Sequence, residues 1–401
     1  MIDKDKLKKL RSLIPALSNK KYFNYGGQGP LLDSSLEAIV SSWKSIQKLG
    51  PFTNKVWPYI KKEEFLTRQL LGDLCGVKGD RIALTENVTT GCILPILGLK
   101  FYKDDRILIS DCEHPGVVSA CIELARRQKL NIDILPLKQI SSGGNNCQYK
   151  NTKILNLLYQ NLKPNTKIVV ISHVLWNTGQ VVPIAEIAYA LKNHQNKPFF
   201  VVDAAQSFCQ IAIKNDAKNV DVYAFTGHKW ACGPEGLGGA VLSERILQAS
   251  NPTLGGWRCL KNEGAIAKMK APTFWEDGRK FEIATSCVPL LAGLRSSLKS
   301  LIEIGTEIER LHLIKESSSF FWEELQPIEN INTILKGPPP AGLVSFKVTG
   351  NTRPKEFVKR LGMKDLWIRD LEDPECLRAC FHITTTKEEI ISLIQGIKSL
   401  L

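Results

Sequence analysis

The sequence predicts an α/β fold: a seven-stranded, mostly parallel sheet in a large domain, with a smaller α+β domain completing the chain. Three observations carry that expectation. The chain has 401 residues, 43% of them hydrophobic and 23% charged, enough to bury a large core and to divide in two. From Arg81 to Leu242, short β-branched apolar runs alternate with amphipathic segments of helical period, the pattern of a doubly wound sheet. After Leu242 that alternation stops.

The seven runs are Arg81 to Leu84, Arg106 to Ile109, Asn131 to Leu135, Lys167 to Ser172, Phe199 to Asp203, Asp221 to Phe225 and Gly239 to Leu242. Helices are expected between them at Val88 to Leu99, Gly116 to Gln128 and Ile184 to His194, the last two opened by a proline at or near the first turn. A polar stretch rich in Gly and Trp follows from Asn251 to Lys280, then one long helical pattern from Pro289 to Leu325. Beyond the turn at Gly337 to Pro340 come a strand at Leu343 to Val348, a helix at Pro354 to Leu361, short strands near Leu366 to Ile368 and Cys376 to Ile383, and a closing helix from Lys387 to Leu400. The expected division is residues 20–260 for the large domain, with 1–19 and 261–401 forming the small one. Ser141 to Asn146 reads as a surface loop.

Composition narrows the function. The apolar runs, such as Ile168 to Ile171, are strand length and far short of the roughly 20 residues that span a bilayer. The segment Met1 to Lys21 lacks the apolar core of a secretory signal, so a cytoplasmic protein with no membrane partner is expected. Eleven cysteines are scattered from Cys75 to Cys380 with no CxxC pair, which points to reduced, buried thiols and no metal. The net charge is +13; Lys4, Lys6, Lys8, Lys9, Lys20 and Lys21 make the N-terminus locally basic and the remaining lysines are dispersed. No aromatic-interleaved basic patch accompanies it, so a small anionic ligand accounts for the basic residues better than nucleic acid does.

In open parallel sheets, ligands bind beyond the carboxyl ends of the strands. One run there ends in Asp203, followed by Gln206; another delivers Thr226, His228 and Lys229. An aspartate after a strand is ordinarily a cap and a single lysine ordinarily surface; their joint spacing argues for a site. Thr89 and Thr90, between a strand and a helix, are placed to meet a phosphate at the helix N-terminus. Glycines 233, 236, 238 and 239 precede a strand and open no helix, so they serve tight turning and close packing and form no dinucleotide fingerprint. For a substrate carboxylate, a planar guanidinium that binds both oxygens is the best match.

Through ISHVLWNTGQVVPI, VVDAAQS and VYAFTGHKWACGPEGLGG, the sequence resembles the class V aminotransferase family of fold-type-I pyridoxal-phosphate (PLP) enzymes along nearly its whole length. The resemblance implies that Lys229 carries the cofactor as a Schiff base and that Asp203 pairs with the ring nitrogen. A carboxylate there keeps the ring protonated and electron-accepting. Gln206 is suited to the phenolic oxygen. The resemblance also implies His114 stacked on the ring, Thr226 and His228 on the phosphate, and Asn177 near the substrate carboxylate or phenolic oxygen. The segment LRACFH resembles the family's late arginine strand, which makes Arg378 the candidate for the substrate carboxylate, with Arg369 just upstream for a distal part of the substrate. It implies a homodimer as well, in which the stretches around Trp257 and Thr285 reach the neighbouring subunit's site, Thr285 on its phosphate. Ala284 replaces a glycine common among relatives.

The cofactor permits several reactions, so the surrounding protein must select one. Desulfurases of this family carry a nucleophilic cysteine on a loop before the carboxylate arginine. Here that loop is short, and Cys376, two residues before Arg378, reads as a packing thiol. The motifs YFNYGGQG, TENVTTG, LWNTGQ and GGW resemble the L-cysteine/L-cystine C–S lyase branch. That implies β-elimination to pyruvate, ammonia and a persulfide or sulfide, with sulfur passed to an acceptor protein for iron–sulfur assembly. Cysteine desulfurase, aminotransferase and epimerase remain the alternatives of the same cofactor class, and a basic binding protein the alternative of another.

Overall fold

A computed structural model describes residues 2–140, 147–262, 271–350 and 352–401. Its central sheet comprises β1 (Ile82–Thr85), β2 (Arg106–Ser110), β3 (Asn131–Leu135), β4 (Thr166–Ser172), β5 (Phe199–Asp203), β6 (Val222–Thr226) and β7 (Gly238–Leu242). Their spatial order is β1-β7-β6-β5-β4-β2-β3. β7 runs antiparallel to both its neighbours and the other pairs are parallel. All seven expected strands are present, with ends displaced by no more than one residue.

The apolar runs are continuous because both faces of the sheet are covered. Successive side chains alternate between faces. Ile107, Ile109, Ile168, Val170, Val201 and Val222 enter one core, while Leu108, Val169, Ile171, Phe200, Val202 and Tyr223 enter the other. The first face is covered by the helices Val88–Leu97 and Pro115–Gln128, and the second by Val56–Cys75, Ile184–Asn193 and Val288–Ile304 among others. The glycine run packs as expected: Gly236 has φ +76, and a Cβ on Gly238 would stand 2.3 Å from the Phe225 carbonyl.

Two expectations change. The pattern from Pro289 to Leu325 is two helices, Val288–Ile304 and Glu307–Leu325. Thr306 restarts the chain with a capping box: its hydroxyl accepts from Glu309 N at 3.2 Å, and Glu309 Oε2 accepts from Thr306 N at 2.9 Å. Periodicity alone cannot show the break because both helices are amphipathic. The first packs Leu291, Leu294 and Leu298 into the core of the large sheet. The second change is a strand at Arg369–Glu372, which the sequence reading omitted. Its polar residues form an edge strand held by backbone pairing.

That edge strand belongs to a four-stranded antiparallel sheet in the order Ile331–Thr333, Leu343–Val348, Glu375–Cys380, Arg369–Glu372. With the helices Glu307–Leu325, Pro354–Gly362 and Lys387–Lys398 it encloses a separate core that includes Phe321, Phe346, Phe357, Phe381 and Leu393. Phe23, from the N-terminal segment, completes it. The expected loop at residues 141–146 lies outside the described residues. Among the described residues no helix is long and apolar enough to cross a membrane, and no group of three or more His, Cys, Asp or Glu could hold a metal.

Candidate active site

The carboxyl ends of β2, β4, β5 and β6 bring the candidate residues together. Asp203 closes β5, in register with Ser172 on β4. Its buried carboxylate accepts one hydrogen bond among the described residues, from Ala205 N at 2.8 Å. Burial pushes its pKa up, while the Ala205 amide and Lys229 pull it down. At the end of β6, the Thr226 hydroxyl lies 2.7 Å from His228 Nδ1.

Lys229 follows, and burial pushes its pKa down to about 8; Asp203 opposes that shift, while Arg378 and Arg369 reinforce it. At pH 8 about half of such lysines are neutral amines, against roughly 0.3% at the ordinary pKa. The amine is therefore nucleophilic near neutrality.

The four-stranded sheet contributes the opposite wall. Arg378 on Glu375–Cys380 is fully buried. It donates from Nη1 to the Trp176 carbonyl at 2.8 Å and from Nη2 to Asn24 Oδ1 at 3.4 Å, and its Nε has no partner among the described residues. Among the described residues it has no carboxylate partner. A buried, unpaired cation is costly, and this one is suited to receive an anionic group. Arg369 stands opposite it in register, exposed at the edge. A two-residue turn, Asp373-Pro374, joins their strands. That turn is pinned to the large domain by Lys138 Nζ to Asp373 Oδ2 at 2.6 Å and by Asn177 Nδ2 to the Asp373 carbonyl at 3.2 Å. The Oδ1 of buried Asn177 and the Nε1 of Trp176 have no partners among the described residues.

His114 caps the helix Pro115–Gln128, accepting from Gly116 N at 3.2 Å, and packs edge-on against Trp176 at 5.5 Å. Burial, then the charges of Lys229, Arg369 and Arg378, push its pKa down to about 4, so the ring is neutral near pH 7. Of the two candidate phosphate threonines, Thr90 donates its hydroxyl to the Asn87 carbonyl at 2.9 Å, as part of the helix cap. The Thr89 hydroxyl faces the His114 turn, 3.1 Å from where a Cβ on Gly116 would stand.

Gln206 is more committed than its sequence context suggests. Its Nε2 donates to the Gly26 carbonyl at 2.8 Å and its Oε1 accepts from Trp230 Nε1 at 2.9 Å, leaving one amide hydrogen for a further partner. The N-terminal segment forms a strap over the site. A Cβ on Gly26 would stand 2.9 Å from both Cys380 Sγ and Gln206 Oε1 and 3.1 Å from Arg378 Nη2. Gly29 N donates to the His228 carbonyl at 2.7 Å.

Trp257 and Thr285 do not join this cluster within one chain. Trp257 packs edge-on against Trp57 at 6.3 Å and lines a groove with Phe65 and Arg258, and Thr285 is exposed. Asn24, Glu113 and Trp176 are the residues that sequence reasoning missed. Asn24 meets Arg378 across 354 positions, and no local pattern announces such a contact. Glu113 and Trp176 adjoin His114 and Asn177 in sequence, and that adjacency was the available signal.

The family model described as aminotransferase class-V matches residues 62–393. The chain belongs to the class V aminotransferase family. It is similar to the cystine C–S lyase C-DES in complex with its reaction product cysteine persulfide: 37% identity, 96% of this chain and 98% of that one covered, TM-score 0.89. It is also similar, at 37% identity and TM-score 0.90 over the same shares, to a lysine-to-alanine variant of C-DES with glycine covalently linked to the PLP cofactor. A probable cysteine desulfurase of Pyrococcus abyssi is 24% identical over 352 residues, 83% of this chain and 82% of that protein.

The protein is thus a PLP-dependent enzyme of the fold-type-I architecture. Its own residues fit the cofactor: an amine of lowered pKa, a buried carboxylate with one protein hydrogen bond, and hydroxyls beside a helix N-terminus. When bound, PLP supplies a carbonyl carbon that amines attack and an electron-accepting ring.

Proposed function

We propose that the protein is a carbon–sulfur lyase that β-eliminates L-cystine or L-cysteine to pyruvate, ammonia and a persulfide or sulfide. The observation that carries this reading is the turn at Asp373-Pro374. It is too short to bear a mobile cysteine, and burial of Cys376 beside it pushes that thiol up to about 12. A thiol so protonated is a poor sulfur acceptor. The 37% identity to a cystine C–S lyase supports the same reading.

In this reading Lys229 Nζ holds the cofactor and moves the α-proton of the substrate. Asp203 faces the ring nitrogen, His114 covers the ring, and Gln206 offers its remaining amide hydrogen to the phenolic oxygen. Thr226, His228, Thr89 and Thr90 hold the phosphate together with Thr285 of the partner subunit. Arg378 and Asn177 bind the α-carboxylate, and Arg369 binds a distal carboxylate such as that of cystine. Trp257 borders the substrate space of the second copy in a homodimer. Support for that dimer comes from the exposed aromatic residues Trp43, Phe65 and Trp257, which a lone chain leaves in water. The persulfide serves a sulfur-accepting protein in the cytoplasm, for iron–sulfur assembly.

The rival reading is a cysteine desulfurase using Cys287, the exposed thiol among the described cysteines. Product analysis separates the two. PLP-loaded protein given L-cystine and, separately, L-cysteine is scored for pyruvate against alanine. Pyruvate from cystine is expected, and alanine would overturn the lyase.

A further inference from the structure

Glu113 is the buried carboxylate of the site that the roles above leave unused. It immediately precedes His114, and it is 6% exposed. Its Oε1 accepts from Ser110 Oγ at 2.5 Å and from Ser172 N at 2.8 Å, and its Oε2 accepts from Ser172 Oγ at 2.6 Å. Ser110 ends β2 and Ser172 ends β4. Ser172 is in turn the register neighbour of Asp203, and His173 N donates to the Asp203 carbonyl at 3.0 Å. One side chain therefore ties together the ends of two strands, the turn that presents His114 and the strand pair that presents Asp203.

Three donors converge on a single carboxylate with almost no access to water. A structural tie at a strand end needs only a neutral hydroxyl or amide, and burying a carboxyl where none is required is unfavourable. Burial raises Glu113 to about 7 against the pull of Ser110 and Ser172, and Asp203 adds to the rise. The titratable groups around it are Asp203, Cys92 on the helix Val88–Leu97, Cys112 beside it and Cys121 on Pro115–Gln128. Burial pushes all three thiols up, so Asp203 is the charged neighbour.

We propose that Glu113 is a positioning residue of the reaction, which sets Asp203 and His114 relative to one another and adds negative potential behind the cofactor ring. This rests on the placement of the cofactor against Lys229, Asp203 and His114 proposed above. Glu113→Gln keeps the size of the side chain but removes the charge and presents an amide to donors that need an acceptor.

The experiment is a titration of apoprotein with PLP, followed by visible absorbance of the bound cofactor across pH. For E113Q the expected result is cofactor affinity about tenfold weaker. The pH midpoint of the absorbance is expected to fall by about 0.5 unit, because loss of a nearby negative charge disfavours protonation. Ser172→Ala, which removes one hydroxyl donor and leaves Glu113 in place, is the companion variant should E113Q fail to fold. It raises the pKa of Glu113, and the midpoint is expected to move in the same direction by less. An unchanged midpoint in a folded E113Q, or in S172A when E113Q does not fold, overturns the proposal. Failure of the site assignment itself reads differently: Lys229→Ala would then still carry the cofactor covalently after borohydride reduction.

Discussion

Replacing Arg378 by lysine tests whether the buried guanidinium is the carboxylate receptor. In the structure Arg378 is fully buried, spends Nη1 and Nη2 on the Trp176 carbonyl and Asn24, and retains an Nε with no partner among the described residues. A bidentate grip on a carboxylate is two charge-assisted hydrogen bonds of about 1.5–3 kcal/mol each. Lysine keeps the positive charge but loses the planar fork, and so forfeits about one of the two. At about 1.4 kcal/mol per decade, kcat/KM for L-cystine should fall roughly 10- to 150-fold. Steady-state pyruvate formation measures this. Cofactor absorbance of R378K serves as the control: the charge that helps lower the Lys229 pKa is retained, so loading should be unchanged. A kcat/KM within about threefold of wild type would refute the assignment, because no carboxylate receptor could lose its fork so cheaply.

Lys229→Ala should abolish covalent attachment of the cofactor to the protein and lower turnover by about 10⁴-fold or more, as read by borohydride reduction with mass spectrometry and by pyruvate assay. Asp203→Asn should still load cofactor but lose about 10²- to 10³-fold in kcat, because a neutral amide cannot hold a ring proton; wild-type kcat in this variant would exclude Asp203 from the ring nitrogen. The rate at which apoprotein captures PLP should rise with pH through a midpoint of about 8, since burial holds Lys229 at that value and the neutral amine is the reacting form. Stopped-flow mixing across pH 6–10 checks it, and a midpoint near the ordinary lysine value would contradict the electrostatics. Cys376→Ser should leave pyruvate formation within about twofold while costing about 1–2 kcal/mol of stability for a buried hydroxyl; loss of activity in a protein that still melts cooperatively would restore Cys376 as a sulfur acceptor.

The sequence alone determined what depends on local pattern. Six of the seven strands could be located because each is a short, mostly apolar run that alternates between two buried faces, and the edge strand Asn131–Leu135 because its Ile132, Ile134 and Leu135 still mark a short apolar run although Ile134 is exposed. The half of the site carried by the seven-stranded sheet was legible for the same reason: Asp203, Thr226, His228 and Lys229 sit at or directly after the ends of such runs, where open sheets place ligands. The helix break between Ile304 and Glu307 and the edge strand Arg369–Glu372 were not legible. One lies between two helices of continuous period, and the other is polar and held by its backbone.

Only the tertiary structure decided the rest of the site, because those contacts join residues far apart in the chain. It buried Arg378 with no counter-ion among the described residues, committed both ends of Gln206 to Gly26 and Trp230, and placed Asn24 against the guanidinium. It also gathered Glu113 and the ends of β2 and β4 beside Asp203. Chemical identity is written residue by residue, but whether a charge is paired, buried or free is set by what folding brings around it.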